Sequence, residues 1–312
     1  MPIIIFDKMK RGYVRYNQLK NVCLVMVLFF FFPSCLVEDR NYCVRYPGVR
    51  AVAIAPEGDD PVNEQEVRQV VFYVFDENEK FIDKFTAPLG VRVALNYSDI
   101  RSLYVVGLAN VDRVNEMVSQ FTPEAPLSDG MITLKQLQSY LSHPVYGSPS
   151  DLFFGVVHIA NNRLAGMTAE LPVARVTAGV NVKIRGLEEF DSPSGEDFSV
   201  VVSADYNAID FYGNPSGNNT NYLPGWLFVS EDSSYHETPI FRIIAQPQGA
   251  TVTINIYRGS TLIDVVSADS NGNPLLAYNG RLLEVRINYI GSVKVTVLTS
   301  RWGEESIWKD FE

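Results

Sequence analysis

The sequence is short of the residues from which most active sites are made. Its 312 residues include only three histidines and three cysteines. His143, His158 and His236 are widely spaced, and none has the i, i+4 partner with an adjacent glutamate that marks zinc peptidases. Cys23, Cys35 and Cys43 are too few for a disulfide framework or a four-thiolate zinc site. No Gly-x-Ser-x-Gly elbow presents a nucleophile, and no glycine-rich loop leads into a helix to cradle a phosphate. Asp269-Ser270-Asn271-Gly272-Asn273 begins like a calcium loop, but Pro274 follows and Gly280 stands where a bidentate glutamate belongs, so it reads as a polar turn. The expectation is a protein that is not an enzyme and holds no cofactor or metal.

Basic charge is scarce as well. Lysine and arginine number 26 against 36 acids, for a net charge of -10. Lys8, Lys10, Arg11, Arg15 and Lys20 fall within the first 34 residues against Asp7 alone, so the rest of the chain is more acidic still. Such a body lacks the basic stripe that a phosphate backbone demands, which excludes nucleic acid as a partner.

What is present begins with a leader. The five cations precede an apolar run over residues 22–32, about half the ~20 residues that a membrane-spanning helix needs. Ser34-Cys35 follows. Residues 1–34 therefore read as a cleavable signal peptide, and the motif resembles a bacterial lipobox, in which the cysteine thiol receives a diacylglycerol and becomes the new N-terminus. Cys35 is the expected lipid-attachment residue. Phe32 and Pro33 stand where that motif prefers leucine and a small residue. Two or three acyl chains hold a protein firmly, where one, at ~0.8 kcal/mol per buried CH₂, does not. Glu38 and Asp39 resemble an acidic tag for export to the outer face of an outer membrane.

Residues 35–48 are polar and irregular, punctuated by Pro47-Gly48, and read as a tether. Period-two alternation then predicts strands at 49–54, 70–75, 81–85, 91–95, 103–108 and 152–159, with residues 76–80 as a hairpin loop. The unbroken apolar run at 103–108 predicts a strand buried on both faces. Val114, Met117, Val118 and Phe121 fall on one helical face. Thr133-Leu134-Lys135-Gln136 reads as a capping box for a second helix carrying Leu137 and Leu141 and ending at Pro144. Residues 170–184 alternate with a break at Gly179, and a domain boundary is expected there. Strands are predicted again at 198–204, 241–245, 251–257, 261–266, 282–289 and 293–298. Arg258-Gly259-Ser260 reads as a turn, and Asn279-Gly280 as a type I′ hairpin turn between Leu276 and Leu282. The expected fold is all-β: an N-terminal sandwich over 49–177 with small helical insertions, and a C-terminal sandwich over 178–312.

Four stretches taken in order resemble one family. They are Cys35 through Cys43 with its acids, the strand–turn–strand at 70–85, the linker strand around 171–176, and the terminal hairpin that ends at Trp302. The chain resembles the fimbrillin-A-associated anchor proteins of type V fimbriae. The resemblance implies two tandem transthyretin-like β-sandwiches and a structural role without catalysis. It also implies pilin-type fimbrial subunits as partners, assembled by β-strand complementation, and an outer-membrane, surface-exposed position at the fimbrium base. A tethered subunit would lose its anchor if its first strand were shed by cleavage at Arg45 or Arg50, so strand 49–54 is expected to stay in place. The alternative is a glycan-binding surface lipoprotein, with the polar loop 213–225 and Trp226 as part of its platform.

Overall fold

Alternation along strands, with no α-helix among the described residues, governs the architecture. The computed structural model describes residues 46–55, 66, 67, 69–161, 166–187, 198–225, 228, 229 and 235–301. The leader, Cys35, Cys43, Arg45, Trp226, Trp302 and Trp308 lie outside the described residues.

The chain first runs through β1 (Gly48–Ile54), β2 (Gln69–Phe75), β3 (Phe81–Pro88), β4 (Val93–Ala94), β5 (Ser102–Ala109) and β6 (Glu116–Val118). After a 3₁₀ turn at Leu127–Asp129 come β7 (Met131–Leu134), β8 (Gln136–Tyr140), β9 (His143–Tyr146), β10 (Phe153–Ala160), β11 (Thr168–Arg175) and β12 (Thr177–Arg185). Next are β13 (Phe198–Ala204), β14 (Ala208–Asp210), β15 (Pro215–Ser216), β16 (Thr220–Tyr222), β17 (Phe228–Val229) and β18 (His236–Glu237). The last are β19 (Phe241–Ile244), β20 (Ala250–Arg258), β21 (Thr261–Val266), β22 (Leu276–Ala277), β23 (Arg281–Asn288) and β24 (Lys294–Arg301).

Four sheets result. The first, in the order β3-β2-β5-β10-β11-β1-β4, uses only residues from 48 to 175. The second runs β17-β18-β12-β23-β24, with β19 also paired to β12. The third runs β21-β20-β13-β16-β9-β8, with β22 on β20, and the fourth runs β15-β14-β7-β6.

The central strands of the first sheet, β2 and β5, are covered on both faces. On β5, Leu103 and Val105 enter one core cluster while Val106 and Leu108 enter another. On β2, Phe72 and Val74 join the first, Tyr73 and Phe75 the second. Two covered faces leave no solvent side, which is why the apolar run at 103–108 does not alternate. The larger cluster continues through Val180, Val182, Val202, Ile254 and Val285, all fully buried, so strands from both halves share it.

The two expected helices are absent. Residues 113–115 form a turn, and the chain then enters β6, which pairs with β7. The presumed apolar stripe is not inside: Val114 is 69% exposed and Met117 51%, while Glu116 is 2% exposed. Only Val118 and Phe121 of that stripe pack against the core, Phe121 within 5.3 Å (ring centroids) of Phe75, Phe81 and Phe211. The presumed capping box lies in β7 and β8, where Ile132 and Leu134 alternate inward and Leu137 is exposed. Tertiary pairing overrides local pattern here, because β7 bonds to β14 and β9 to β16, strands some 75 residues downstream. Pro144 sits within β9 and terminates nothing.

One turn expectation and the position of one strand break also need correction. Asn279-Gly280 does not join paired strands: β22 bonds to β20, while β23 bonds to β12 and β24. Only Gly280 has positive φ (67°), and Arg281 N–H donates to Tyr278 O at 3.1 Å, so this is a corner between sheets. The break in residues 170–184 falls at Val176, between β11 and β12, and Gly179 lies inside β12. The β20–β21 turn is as expected, with Gly259 at φ 57°.

Candidate functional site

β1 is the first strand after the segment that the sequence marks as a tether, and its two edges are held very differently. β1 reads Gly-Val-Arg-Ala-Val-Ala-Ile, and Val49 and Ala51 are fully buried. Along one edge it pairs in parallel with β11 over its whole length, from Gly48↔Thr168 to Ile54↔Ala174. Along the other edge β4 pairs only with Gly48 and Val49. Beyond that, Gly90 N–H donates to Ala51 O at 3.0 Å, and Ile54 at the far end is 46% exposed.

The start of β1 is fastened closely. Gly48 N–H donates to Met167 O and Leu95 N–H to Pro47 O, each at 2.8 Å. The Arg92 guanidinium crosses over this point, its Nε donating to Thr168 Oγ1 at 2.8 Å and its Nη2 to Tyr46 O at 3.0 Å. A β-carbon on Gly48 would come within 2.5 Å of Arg92 Nε, so glycine leaves room for the crossing. Arg50 pairs with Glu170 of β11, with both side chains well exposed. Sequence reasoning found β1 but missed Arg92, because a contact between residues 46, 92 and 168 leaves no local trace.

The far end of the β1–β11 pair carries a desolvated cation. Arg175 is 7% exposed, bonds to Asp151 Oδ1 at 2.9 Å and to Glu66, and lies 4.9 Å over the Phe153 ring. It is the last residue of β11, immediately before the crossing into β12.

The polar residues singled out in the sequence do not converge. His143 is on β9, His158 on β10 with its ring 4.6 Å from Tyr104, and His236 on β18, which places them in three different sheets. Among the described residues no group of three or more His, Cys, Asp or Glu is placed to hold a metal. The Asp269 carboxylate accepts from Asn271 N and Asn273 N at 2.8 Å and from Asn273 Nδ2 at 2.9 Å. These bonds, led by that from the Asn273 side chain, hold it below the usual carboxylate range. Glu116 is the counterexample: burial pushes its carboxyl up, although the N–H groups of Asp112 and Ser150 both donate to it at 2.6 Å.

Known proteins share this architecture. The profile of the fimbrillin-A-associated anchor proteins Mfa1 and Mfa2 matches residues 41–308. The major fimbrium anchoring subunit FimB of Porphyromonas gingivalis is 24% identical over 296 residues, covering 89% of this chain and 93% of that protein. The solved fimbrial anchor protein Mfa2 of P. gingivalis has the same fold, with a TM-score of 0.60 at 15% identity over 83% of this chain and 98% of that one. A candidate adhesin from Bacteroides ovatus does too, at a TM-score of 0.63 and 15% identity over 82% and 94% of the two chains. The matched family is one of structural subunits without catalytic activity. With its profile spanning nearly the whole all-β body from just before β1 to just past β24, this chain belongs to the fimbrillin-A-associated anchor family.

Proposed function

We propose that the chain is the subunit that fixes a fimbrium to the outer membrane. Residues 1–34 are removed, Cys35 is acylated, and residues 35–48 serve as the tether into β1. About a dozen residues separate Cys35 from β1; at ~3.4 Å each they reach roughly 45 Å, so the body stands clear of the bilayer surface. Residues 49–177 and 178–312 form tandem transthyretin-like sandwiches, a division supported by the first sheet's use of residues 48 to 175 alone. Pilin-type fimbrial subunits attach by β-strand complementation, in which a partner's strand adds main-chain hydrogen bonds to a sheet.

The observation that carries this reading is the fastening of β1. A subunit that polymerises by giving up its first strand needs that strand free to leave. Here Arg92 and the backbone bonds at Pro47 and Gly48 hold the strand at the end nearest Cys35, as a load-bearing tether requires. β3 and β4 terminate the first sheet and β17 and β24 the second among the described residues, and a partner strand would add at such an edge.

Comparing native cells carrying the wild-type chain with cells carrying Cys35→Ala tests both parts. The expected result is that wild type recovers pilin-type subunits in a pull-down from the membrane, while Cys35→Ala is shed into the medium together with filaments. Membrane-bound wild type that recovers no pilin would retain the lipid anchor and eliminate the fimbrial role.

A further inference from the structure

A second surface has a composition unlike the rest of the molecule. The face of the third sheet that points away from the main core carries a depression of about 190 Å³, formed by β8, β9, β13, β16 and β20. Two tyrosines stand at its rim, Tyr140 and Tyr257, with ring planes at 86° and centroids 6.2 Å apart. Ser203, Asn221 and Asn255 are also in the lining, with His143 beside them. In a chain in which 20% of residues are charged, no Asp, Glu, Lys or Arg lines this depression among the described residues.

Strand register builds the arrangement. Ser203 on β13 stands opposite Asn221 on β16, and Val201 stands opposite Asn255 on β20. Ser203 Oγ donates to Asn221 Oδ1 at 2.7 Å. Asn255 Nδ2 donates to Ser203 Oγ at 3.2 Å and to Val201 O at 3.3 Å, and Asn221 Nδ2 to Pro144 O at 3.3 Å. The Tyr140 hydroxyl is bonded to Ser199 Oγ at 2.7 Å. The amides are thus held in fixed orientations before any ligand arrives, which lowers the entropy lost on binding. Several groups remain unengaged among the described residues: Asn255 Oδ1, the Tyr257 hydroxyl and the His143 ring nitrogens.

We propose that this depression binds a neutral sugar ring, as in an uncharged surface polysaccharide. A pyranose has a C–H face that lies on an aromatic ring and an edge of hydroxyls that both donate and accept. Tyrosine rings supply the first contact, and the Asn, Tyr and His groups supply both donors and acceptors for the second. Among the described residues of the lining an anion finds no cation to pair with, and a cationic ligand no carboxylate. Asn221 belongs to the polar stretch 213–225, so that stretch contributes to a sugar site through β16. The proposal stands on this face alone and does not depend on the anchoring role.

The test titrates the full chain, held in a detergent without a sugar head group, with the methyl glycosides of glucose, galactose, mannose and N-acetylglucosamine. Glucuronic acid is the charged control, and ligand-observed NMR is the readout. The expected result is saturable binding of at least one neutral glycoside, weakened at least tenfold in Tyr257→Ala and in Asn255→Ala and unchanged in the remote Lys294→Ala. Should Asn255→Ala fail to fold, Tyr257→Phe removes only the unengaged hydroxyl and is expected to weaken binding several-fold. Absence of saturable binding by all four glycosides, binding unaltered in the site variants, or tighter binding of glucuronic acid than of any neutral glycoside would overturn the proposal.

Discussion

β1 and β12 are counterparts, each running parallel to a later strand of its own sheet, β11 and β23 respectively. Their other edges differ. β12 is flanked by β19 over residues 177–180 and by β18 at Lys183 and Ile184, and eight of its nine residues are buried or half-buried, with Val180, Val182 and Ile184 fully so. Among the described residues, β1 has there the two residues of β4 and the single bond from Gly90 N–H to Ala51 O. One architectural device therefore appears in two strengths. In the C-terminal half the parallel strand is an inextricable part of the core. In the N-terminal half it is held mainly along one edge and by a few polar contacts at its start.

The difference is sharpest when a charge is placed in each strand. Val182→Asp buries an unpaired carboxylate in the shared core and is expected to cost several kcal/mol, roughly 4 or more, a large part of a typical domain's stability. The expected outcome in circular-dichroism melts is loss of the cooperative transition. Val49→Asp is expected to lower the transition and keep it, because the second and third sheets do not include β1. Equal loss in both variants would erase the contrast.

Next comes Arg175→Ala, at the junction of the two halves. It leaves Asp151 and Glu66 without their buried partner, and removal of one member of such a set costs about 3–5 kcal/mol. Glu66 is itself 40% exposed and can regain water, so the lower end is expected in urea denaturation.

Much of this contrast was legible in the sequence, and some was not. β20 could be read because its apolar residues recur at a spacing set by the strand itself, and β5 because its apolar run is short and unbroken. The region 114–142 could not, because short strands there change direction every few residues, and a chance 3.6-residue spacing of apolar side chains has nothing local to contradict it. The β8–β9 turn shows why. Leu141 and Ser142 have φ 47° and 68°, the two positive values of a tight hairpin turn normally signalled by Asn-Gly. The long-range pairing imposes that turn on residues that give no warning of it. At the entry strand, the run from Val49 to Ile54 was readable, whereas the Arg92 crossing and the Arg175 cluster depend on residues brought together from distant stretches. Cys35, the motif on which the anchoring role turns, is legible only in the sequence.

Smaller effects bear on β1 and on that turn. Arg92→Ala removes the bonds to Thr168 and Tyr46 and is expected to cost about 1–2 kcal/mol, with faster hydrogen exchange in β1 and unchanged exchange in β12. Leu141→Asn combined with Ser142→Gly relieves two left-handed residues and is expected to stabilise the fold by about 1 kcal/mol in the same denaturation assay. Arg50→Ala breaks an exposed pair with Glu170 and is expected to change stability by only about 0.5 kcal/mol.

The central claim is that the entry strand remains in place and joined to the membrane. Mass spectrometry of the N-terminal peptide of the mature protein, recovered from native outer membranes, tests it most directly. The account predicts a peptide that begins at an acylated Cys35 and continues unbroken through β1. A mature form that begins after Arg45 or Arg50, with an unmodified amino terminus, would contradict it.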